Sequence, residues 1–311
     1  MLRIARSENI RYFYAMIRLS LVIATYNRSV PLLAALESVV RQDAPPSEWE
    51  CVVVNNNSQD DTEARFAEFA ARYPALHLRM VRETRQGLSH ARNRGIAETS
   101  GPYIAIIDDD ERINAGFVSA YIRFFDRHPE AASAGGRIIP EYPSGRPAWM
   151  SRYTERPIAN PIDLGACERV FPAGRIPGGG NMALRRAAVE KYGAFDPAFG
   201  RVGGRLIGGE ESDLFARLAR GGETCWYVPG AVMWHIIPPE KLTAEYFSRL
   251  CYNIGVSQRL RAVRDRRYGR ALLAEGAKWG ATLLLALTLR PCRSRRLLRM
   301  RTEITKGLVR G

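Results

Sequence analysis

Paired cysteines are missing from this sequence, although it contains five cysteines. They are scattered along the chain, with no CxxC pair, at Cys51, Cys167, Cys225, Cys251 and Cys292. Their odd number and wide spacing argue against a disulfide framework and against a structural zinc site. The pattern favours a reducing compartment, and we therefore expect a cytoplasmic protein.

Long apolar runs are missing as well. The most apolar stretch occupies residues 271–289, where Glu275 and Lys278 leave only eleven uninterrupted residues. Crossing a bilayer takes about 20 residues, so this stretch predicts a helix that lies on a membrane surface. The first 20 residues have no apolar core followed by a small-residue cleavage site, which argues against a signal peptide.

Acidic residues are scarce at the C-terminal end. Residues 256–311 contain 15 lysines and arginines but only three acids, so they carry +12 of the chain's net charge of +14. Such a tail predicts a polyanionic partner, either membrane phospholipid or nucleic acid. Tyr268 and Trp279 are its only aromatic residues, and it has no zinc-finger or RRM signature. We therefore expect an anionic membrane surface, the inner face of the plasma membrane, and no nucleic acid.

The first 140 residues alternate between apolar runs and amphipathic segments. The apolar runs predict strands at 19–25, 50–55, 76–83 and 103–107, with a helix after each of the first three. This alternation predicts an α/β fold: a single Rossmann-like sheet, mixed or mostly parallel, with flanking helices.

The rest of the chain divides into two parts. Residues 140–180 are rich in proline and glycine and predict long loops, and a last strand ends at His235. We expect an N-terminal extension at 1–18, a main α/β domain at 19–240 and a helical, basic tail at 241–311.

Four acids follow the fourth predicted strand in AIIDDDE, residues 105–111. Ligands of α/β sheets gather beyond the carboxyl ends of the strands, where the segments YNR, NNNSQDD and DDDE are expected to meet. Asp108 and Asp110 project to the same side of the chain, and they could hold Mg²⁺ or Mn²⁺, which often also bind substrate phosphate. The alternative is a solvated acidic turn, or acids that favour the start of a following helix. For Glu111 only this last role is expected.

Three other groups could belong to the same crevice. The arginines of RQGLSHARNRG suit phosphate, although a solvated helical face is the alternative. The acids of GGEESDL, residues 208–214, suit a general base, although the helix dipole alone could explain them. His235 could ligate a metal or be structural.

The segments SLVIATYNR, VVVNNNSQDDT, RQGLSHARNRGIAETSGPYIAIIDDDE, GGGNMALRR and GGEESDLFARL occur in this order. In order and spacing the chain resembles family 2 glycosyltransferases with the GT-A fold, over roughly residues 19–240. The resemblance implies an inverting enzyme that uses a nucleotide-diphosphate sugar, with a UDP-sugar as first choice, and Mn²⁺ or Mg²⁺. With the basic tail, it implies a glycan or lipid-linked acceptor in cell-surface polysaccharide synthesis.

The resemblance also implies roles for individual residues. Glu211 matches the catalytic base, as a glutamate where aspartate is usual, and Asp213 is the alternative. Asn55 stands where the family usually has an aspartate near the nucleotide base. The implied metal contacts are Asp108, Asp110 and His235. The implied substrate contacts are Thr25, Asn27, Asn55, Arg92, Asp109, Gly179, Gly180, Asn181 and Glu210.

Two alternatives to this function remain. One is a non-catalytic protein that binds a polyanion, nucleic acid or membrane, as the basic tail suggests. The other is a sugar nucleotidyltransferase, which also has an α/β nucleotide site and metal-binding acids. It would normally carry a glycine-rich triphosphate loop after the first strand. Here that segment reads ATYNRSV and contains no glycine.

Overall fold

The structure is a computed structural model that describes residues 16–203 and 206–311. Most of the predicted extension at 1–18 lies outside the described residues. The strands are β1 (Leu19–Thr25), β2 (Trp49–Asn55), β3 (His77–Arg82), β4 (Tyr103–Asp108), β5 (Glu111–Ile113), β6 (Ser133–Glu141), β7 (Arg169–Val170), β8 (Met182–Arg185) and β9 (Cys225–Ile236). The α-helices are α1 (Ser29–Val39), α2 (Thr62–Ala71), α3 (Leu88–Glu98), α4 (Phe117–Arg127), α5 (Arg152–Ala159), α6 (Arg186–Tyr192), α7 (Glu210–Arg220), α8 (Ala244–Arg264), α9 (Tyr268–Thr288) and α10 (Pro291–Arg310).

All these strands belong to one mixed sheet. Its order is β3-β2-β1-β4-β8-β6-β9-β5, with β7 paired to β9. The first four strands in this order are parallel, β8 is antiparallel to β4, and β5 is antiparallel to β9. Helices connect the parallel strands because a parallel pair needs a long crossover. The predicted fold class is confirmed, and so are the four predicted strands.

Two apolar layers enclose the central strands. β1 and β2 are buried throughout, which is expected for strands covered on both faces. Leu21 and Ile23 of β1 belong to the cluster formed with α1, α2 and α4. Val22 of the same strand belongs to the cluster on the opposite face, with α3, α6 and α7. This alternation fixes which side chains of β1 face each layer. Because β1 and β4 are parallel, their carboxyl ends point to the same edge of the sheet.

Two sequence-based expectations are wrong. Residues 140–180 are not only loops, because α5 and β7 lie within them. A capping box formed by Ser151 and Thr154 starts α5, a local signal that the proline content of the segment concealed. Glu111 does not precede a helix directly but belongs to β5, where it pairs with His235 of β9.

The C-terminal helices form a third apolar cluster with the main domain. Phe247 of α8 and Leu297 of α10 pack with Met150 and with Ile158 of α5. The boundary predicted at residue 240 falls inside this cluster, because Ile237 also belongs to it. The division into domains stays a prediction.

Helix α9 has its polar side inward and its apolar side outward. Glu275 is 3% exposed, and its carboxylate binds Arg301 and Thr305 of α10. Leu284 and Leu287 are 69% and 84% exposed. Within the described ranges, no helix is both long and apolar enough to cross a membrane.

Candidate active site

A cleft of about 390 Å³ opens at the carboxyl ends of β1, β2 and β4. This is the edge where the sequence predicts a crevice, and residues from all three following loops line it. The predicted site residues that line it are Thr25, Arg92, Asp108, Asp109, Asp110, Glu210, Glu211 and His235. The others, Asn27, Asn55, Gly179, Gly180, Asn181 and Asp213, do not belong to its lining.

Two cations balance the second and third acids of the DDD segment. Asp109 accepts hydrogen bonds from the Thr25 hydroxyl at 2.8 Å and from Arg28 at 2.7 Å. Asp110 accepts from Arg28 at 3.1 Å and from Lys241 at 2.6 Å. Burial raises the pKa of Asp109 to about 7, although Arg28 opposes the shift. Burial acts in the same direction on Asp110, but Lys241 and Arg28 outweigh it and hold its pKa below the usual value.

Glu111 closes the turn that follows β4, a role that the sequence did not suggest. Its carboxylate accepts a hydrogen bond from the backbone N–H of Asp108 at 2.8 Å. A Cβ atom on Gly180 would lie 1.9 Å from Glu111 Oε1, so only glycine leaves room for this carboxylate. Burial raises the pKa of Glu111 well above its usual value, and Asp108 and Asp110 add to the shift.

A divalent cation fits this turn. Carboxylate oxygens of Asp108, Asp110 and Glu111 lie within 4.8 Å of one another, and such hard oxygen donors are the ligands that Mg²⁺ and Mn²⁺ prefer. His235 lies opposite Glu111 in the sheet and lines the cleft. Its Nδ1 lies 3.2 Å from the carbonyl oxygen of Ala159, and its role as a metal ligand stays a prediction.

Arg92 joins the two acidic segments of the cleft. The side chain is 1% exposed, and it donates to Asp108 at 2.9 Å, Glu211 at 3.0 Å and Glu210 at 3.2 Å. It also donates to the carbonyl oxygen of Gly179 at 3.2 Å. Burial alone would lower the pKa of the guanidinium, but the three carboxylates outweigh burial and raise this pKa above its usual value. Arg92 is therefore a fixed cation that positions acids from the end of β4 and from the start of α7.

The two adjacent glutamates at the start of α7 have different environments. Glu210 is buried, and its Oε2 has no hydrogen-bond partner among the described residues. Burial, with a further contribution from Glu211, raises the pKa of Glu210 to about 8. Glu211 lines the cleft, and its side chain is 20% exposed. A Cβ atom on Gly179 would lie 2.0 Å from Glu211 Oε1, so this glycine provides room for the second carboxylate.

Asn27 and Asn55 brace the loops beside the cleft. Asn27 has a φ of 51°, a left-handed conformation that asparagine tolerates. Its side-chain oxygen accepts from the backbone N–H of Gln59, and its own N–H donates to the Ser58 hydroxyl. The side-chain oxygen of Asn55 accepts from the N–H of Ser58 at 2.8 Å. Both asparagines therefore fix the loop after β2, and their donor contacts stay predictions.

Asn181 and Asp213 are held by internal partners. Asn181 is fully buried and accepts a hydrogen bond from the Tyr121 hydroxyl at 2.6 Å. Asp213 is also buried, and its carboxylate binds Arg217 and Arg264. Asp213 therefore faces the junction of α7 with α8 instead of the cleft.

The fold recurs in a solved structure. The mannosyltransferase PcManGT from Pyrobaculum calidifontis, solved in complex with GDP-Man and Mn²⁺, has a TM-score of 0.64 at 20% identity. The likeness covers 94% of this chain and 87% of that chain. The likeness, together with the order of the mixed sheet, shows that the chain has the GT-A fold.

The sequence comparison identifies the family. The protein-family model described as Glycosyl transferase family 2 matches residues 20–193. This match covers more than half of the 311 residues. The chain belongs to glycosyl transferase family 2.

Curated relatives match parts of the chain. Glycosyltransferase AglE of Haloferax volcanii is 30% identical over 197 residues, which are 56% of this chain and 62% of AglE. The GalNAc(5)-diNAcBac-PP-undecaprenol beta-1,3-glucosyltransferase of Campylobacter jejuni is 28% identical over 106 residues, 34% of each protein. The chain spans less than two thirds of the length of the curated relatives it matches first.

Proposed function

We propose that this glycosyltransferase moves a sugar from a nucleotide-diphosphate sugar to a hydroxyl group of a lipid-linked glycan, with inversion at the anomeric carbon. The setting is the synthesis of cell-surface polysaccharide. The name of the Campylobacter jejuni relative describes an undecaprenol-diphosphate acceptor, and PcManGT binds a nucleotide sugar. Both names support the proposed substrate classes.

One observation carries the proposal. A single buried guanidinium, that of Arg92, binds Asp108 at the end of β4 and Glu211 at the start of α7. It thereby holds two carboxylates at fixed positions in one cleft. A metal-binding acid and a general base on opposite sides of a bound sugar are what a single displacement requires, and no protein nucleophile is needed.

The residues of the chain would act as follows. Glu211 removes the proton from the attacking acceptor hydroxyl, because it is the partly exposed carboxylate of the α7 start. Asp213 is less suited, since Arg217 and Arg264 already hold its carboxylate. Thr25 and Arg28 orient Asp109 beside the donor. Mn²⁺ or Mg²⁺ held by Asp108 and Asp110, with Glu111 close by, would neutralise the departing diphosphate as a Lewis acid.

A donor screen tests the function. Purified full-length chain is mixed with UDP- and GDP-sugars and a lipid-linked acceptor, and release of nucleoside diphosphate is measured with Mn²⁺, with Mg²⁺ and with EDTA. We expect release with one donor and only with metal. Asp110→Asn should lose that release, because it removes one of the carboxylates proposed to hold the ion.

The matched control for that substitution is Asp163→Asn, since Asp163 is half-exposed and pairs with Arg137 on the surface. It should keep wild-type activity. Equal activity in EDTA would contradict the metal. Release of pyrophosphate from a nucleoside triphosphate and a sugar phosphate would instead identify a nucleotidyltransferase.

We also propose that the tail docks on an anionic membrane, the inner face of the plasma membrane, where a lipid-linked acceptor resides. The outward leucines of α9 supply apolar surface, and the cations of residues 256–311 attract anionic headgroups. Burying the Glu275–Arg301 pair between α9 and α10 directs this apolar side outward. The tail would then be a membrane-associating unit beside the catalytic domain.

Vesicle binding tests this docking. We expect the full-length chain to co-sediment with phosphatidylglycerol vesicles, less in high salt and less with pure phosphatidylcholine. Replacing Leu284 and Leu287 together by glutamine should weaken binding at least about tenfold, because each buried leucine contributes about 1.5 to 3 kcal/mol. The control is Val30→Gln on α1, since Val30 is 64% exposed but far from the tail in sequence. Binding that ignores both salt and the leucines would contradict the proposal.

A further inference from the structure

Two cations share one carboxylate oxygen in the cleft. Arg28 and Lys241 both lie within hydrogen-bond distance of Oδ2 of Asp110, at 3.1 and 2.6 Å. Asp110 is one of the three acids whose oxygens are close enough to hold a divalent ion. The two cations therefore compete with a metal for the same carboxylate.

The cations of the cleft differ in how firmly they are held. Arg92 is fixed by four acceptors and is almost fully buried. Arg28 also binds Asp109, so it keeps one carboxylate partner if Asp110 binds a metal ion instead. Lys241 has Asp110 as its only side-chain partner among the described residues. Its ammonium is a point charge on a flexible four-carbon stem, which can move to a new anion nearby.

The position of Lys241 supports such a movement. It lies in the short 3₁₀ turn Pro239–Leu242, between β9 and α8, and its side chain lines the cleft beside His235. A doubly charged ion on Asp110 would repel the ammonium. A diphosphate bound to that metal would offer the ammonium a new anion in the same cleft.

We propose that Lys241 exchanges partners during donor binding: it pairs with Asp110 in the metal-free protein and with the diphosphate of the nucleotide sugar in the loaded protein. This inference rests on the proposed function and adds a residue to its donor site. The exchange also predicts the sign of the coupling between metal binding and diphosphate binding. Metal alone must displace Lys241 and therefore binds weakly. When metal and diphosphate bind together, Asp110 pairs with the metal and Lys241 pairs with the diphosphate. The two ligands therefore strengthen each other's binding, by the same factor in both directions.

Calorimetry on the full-length chain tests the exchange. Mn²⁺ is titrated without nucleotide and then with saturating UDP or GDP, whichever binds the wild-type protein. Lys241→Met should bind Mn²⁺ alone more tightly than wild type does, because the metal no longer has to displace the ammonium. It should bind the nucleoside diphosphate with Mn²⁺ less tightly. The coupling factor between the two ligands should fall by about tenfold, which is a typical coupling magnitude.

Opposite signs in the two titrations separate exchange from a structural role, since a distorted cleft would weaken both. Lys241→Arg keeps the positive charge and should retain most of the coupling. Lys191→Met is the matched control, because Lys191 of α6 is exposed and pairs with Glu223 outside the cleft. It should match wild type in both titrations.

Weaker or unchanged Mn²⁺ binding by Lys241→Met, or an unchanged coupling factor, would overturn the exchange while leaving the proposed function intact. A wild-type chain that binds neither UDP nor GDP with Mn²⁺ would overturn both proposals.

Discussion

Replacing Glu211 by glutamine should lower kcat by roughly 100- to 10,000-fold, which is the usual contribution of a general base. Glutamine has nearly the same shape, and its side-chain oxygen can still accept the hydrogen bond from Arg92 that Glu211 accepts at 3.0 Å. Donor binding, measured as the KM for the nucleotide sugar or by calorimetry, should change little. Loss of kcat with an unchanged KM is the pattern of an interaction made only in the transition state.

Two comparisons make this result specific. Glu190→Gln changes an exposed glutamate of α6 and should leave kcat unchanged. Asp213→Asn removes a carboxylate that binds Arg217 and Arg264, so we expect it to lower stability more than the rate of chemistry. If Asp213→Asn folds and is inactive while Glu211→Gln keeps its activity, the two acids have the opposite roles.

Replacing Arg92 by methionine should lower the free energy of unfolding by about 3 to 5 kcal/mol, the cost of removing one partner from a buried ion pair. The side chain is 1% exposed, and its removal leaves carboxylates of Asp108, Glu210 and Glu211 without their shared cation. Urea denaturation at neutral pH measures the loss. Transfer activity should fall as well, because both Asp108 and Glu211 lose their orientation.

The matched control is Arg94→Met on the same helix. Arg94 is 44% exposed at its side chain and pairs with Glu98 one turn further along α3. Such exposed pairs contribute about 0.3 to 0.5 kcal/mol, so the variant should stay close to wild type. Equal destabilisation by the two substitutions would mean that the buried network contributes little.

Local patterns predicted the first half of the fold well. β1 was predicted with the bounds that the structure has, and Asp108 was placed at the end of the fourth strand. These predictions succeeded because a fully buried parallel strand is a continuous apolar run, and because polar residues collect at its carboxyl end. β6 and β8 were not predicted. Their sequences, SAGGRIIPE and MALR, are short or glycine-containing and lack a clear period.

The site could be predicted only as far as its motifs. Asp108, Asp110 and Glu211 lie in recognisable segments, whereas Lys241 is 131 residues from Asp110 in sequence and carries no motif. Arg28 directly follows YN in ATYNR and could have been suspected from that position. Glu111 was visible as the fourth acid, but its burial depends on Gly180, which comes from another part of the chain. Contacts of this kind depend on tertiary packing and have no local signal.

Lys241 has a consequence for exchanging parts between relatives. It stands one residue beyond the predicted boundary at 240, and Arg264, further along α8, holds Asp213 of α7. A chimera that takes its C-terminal helices from another family member would thus receive a foreign ion-pair partner for Asp110 and a foreign neighbour for the helix that carries Glu211. Such a swap, planned to redirect the protein to another surface, would also change the ion pairs of the candidate active site. The C-terminal helices should therefore be exchanged together with α7, and Lys241 should be retained as the partner of Asp110.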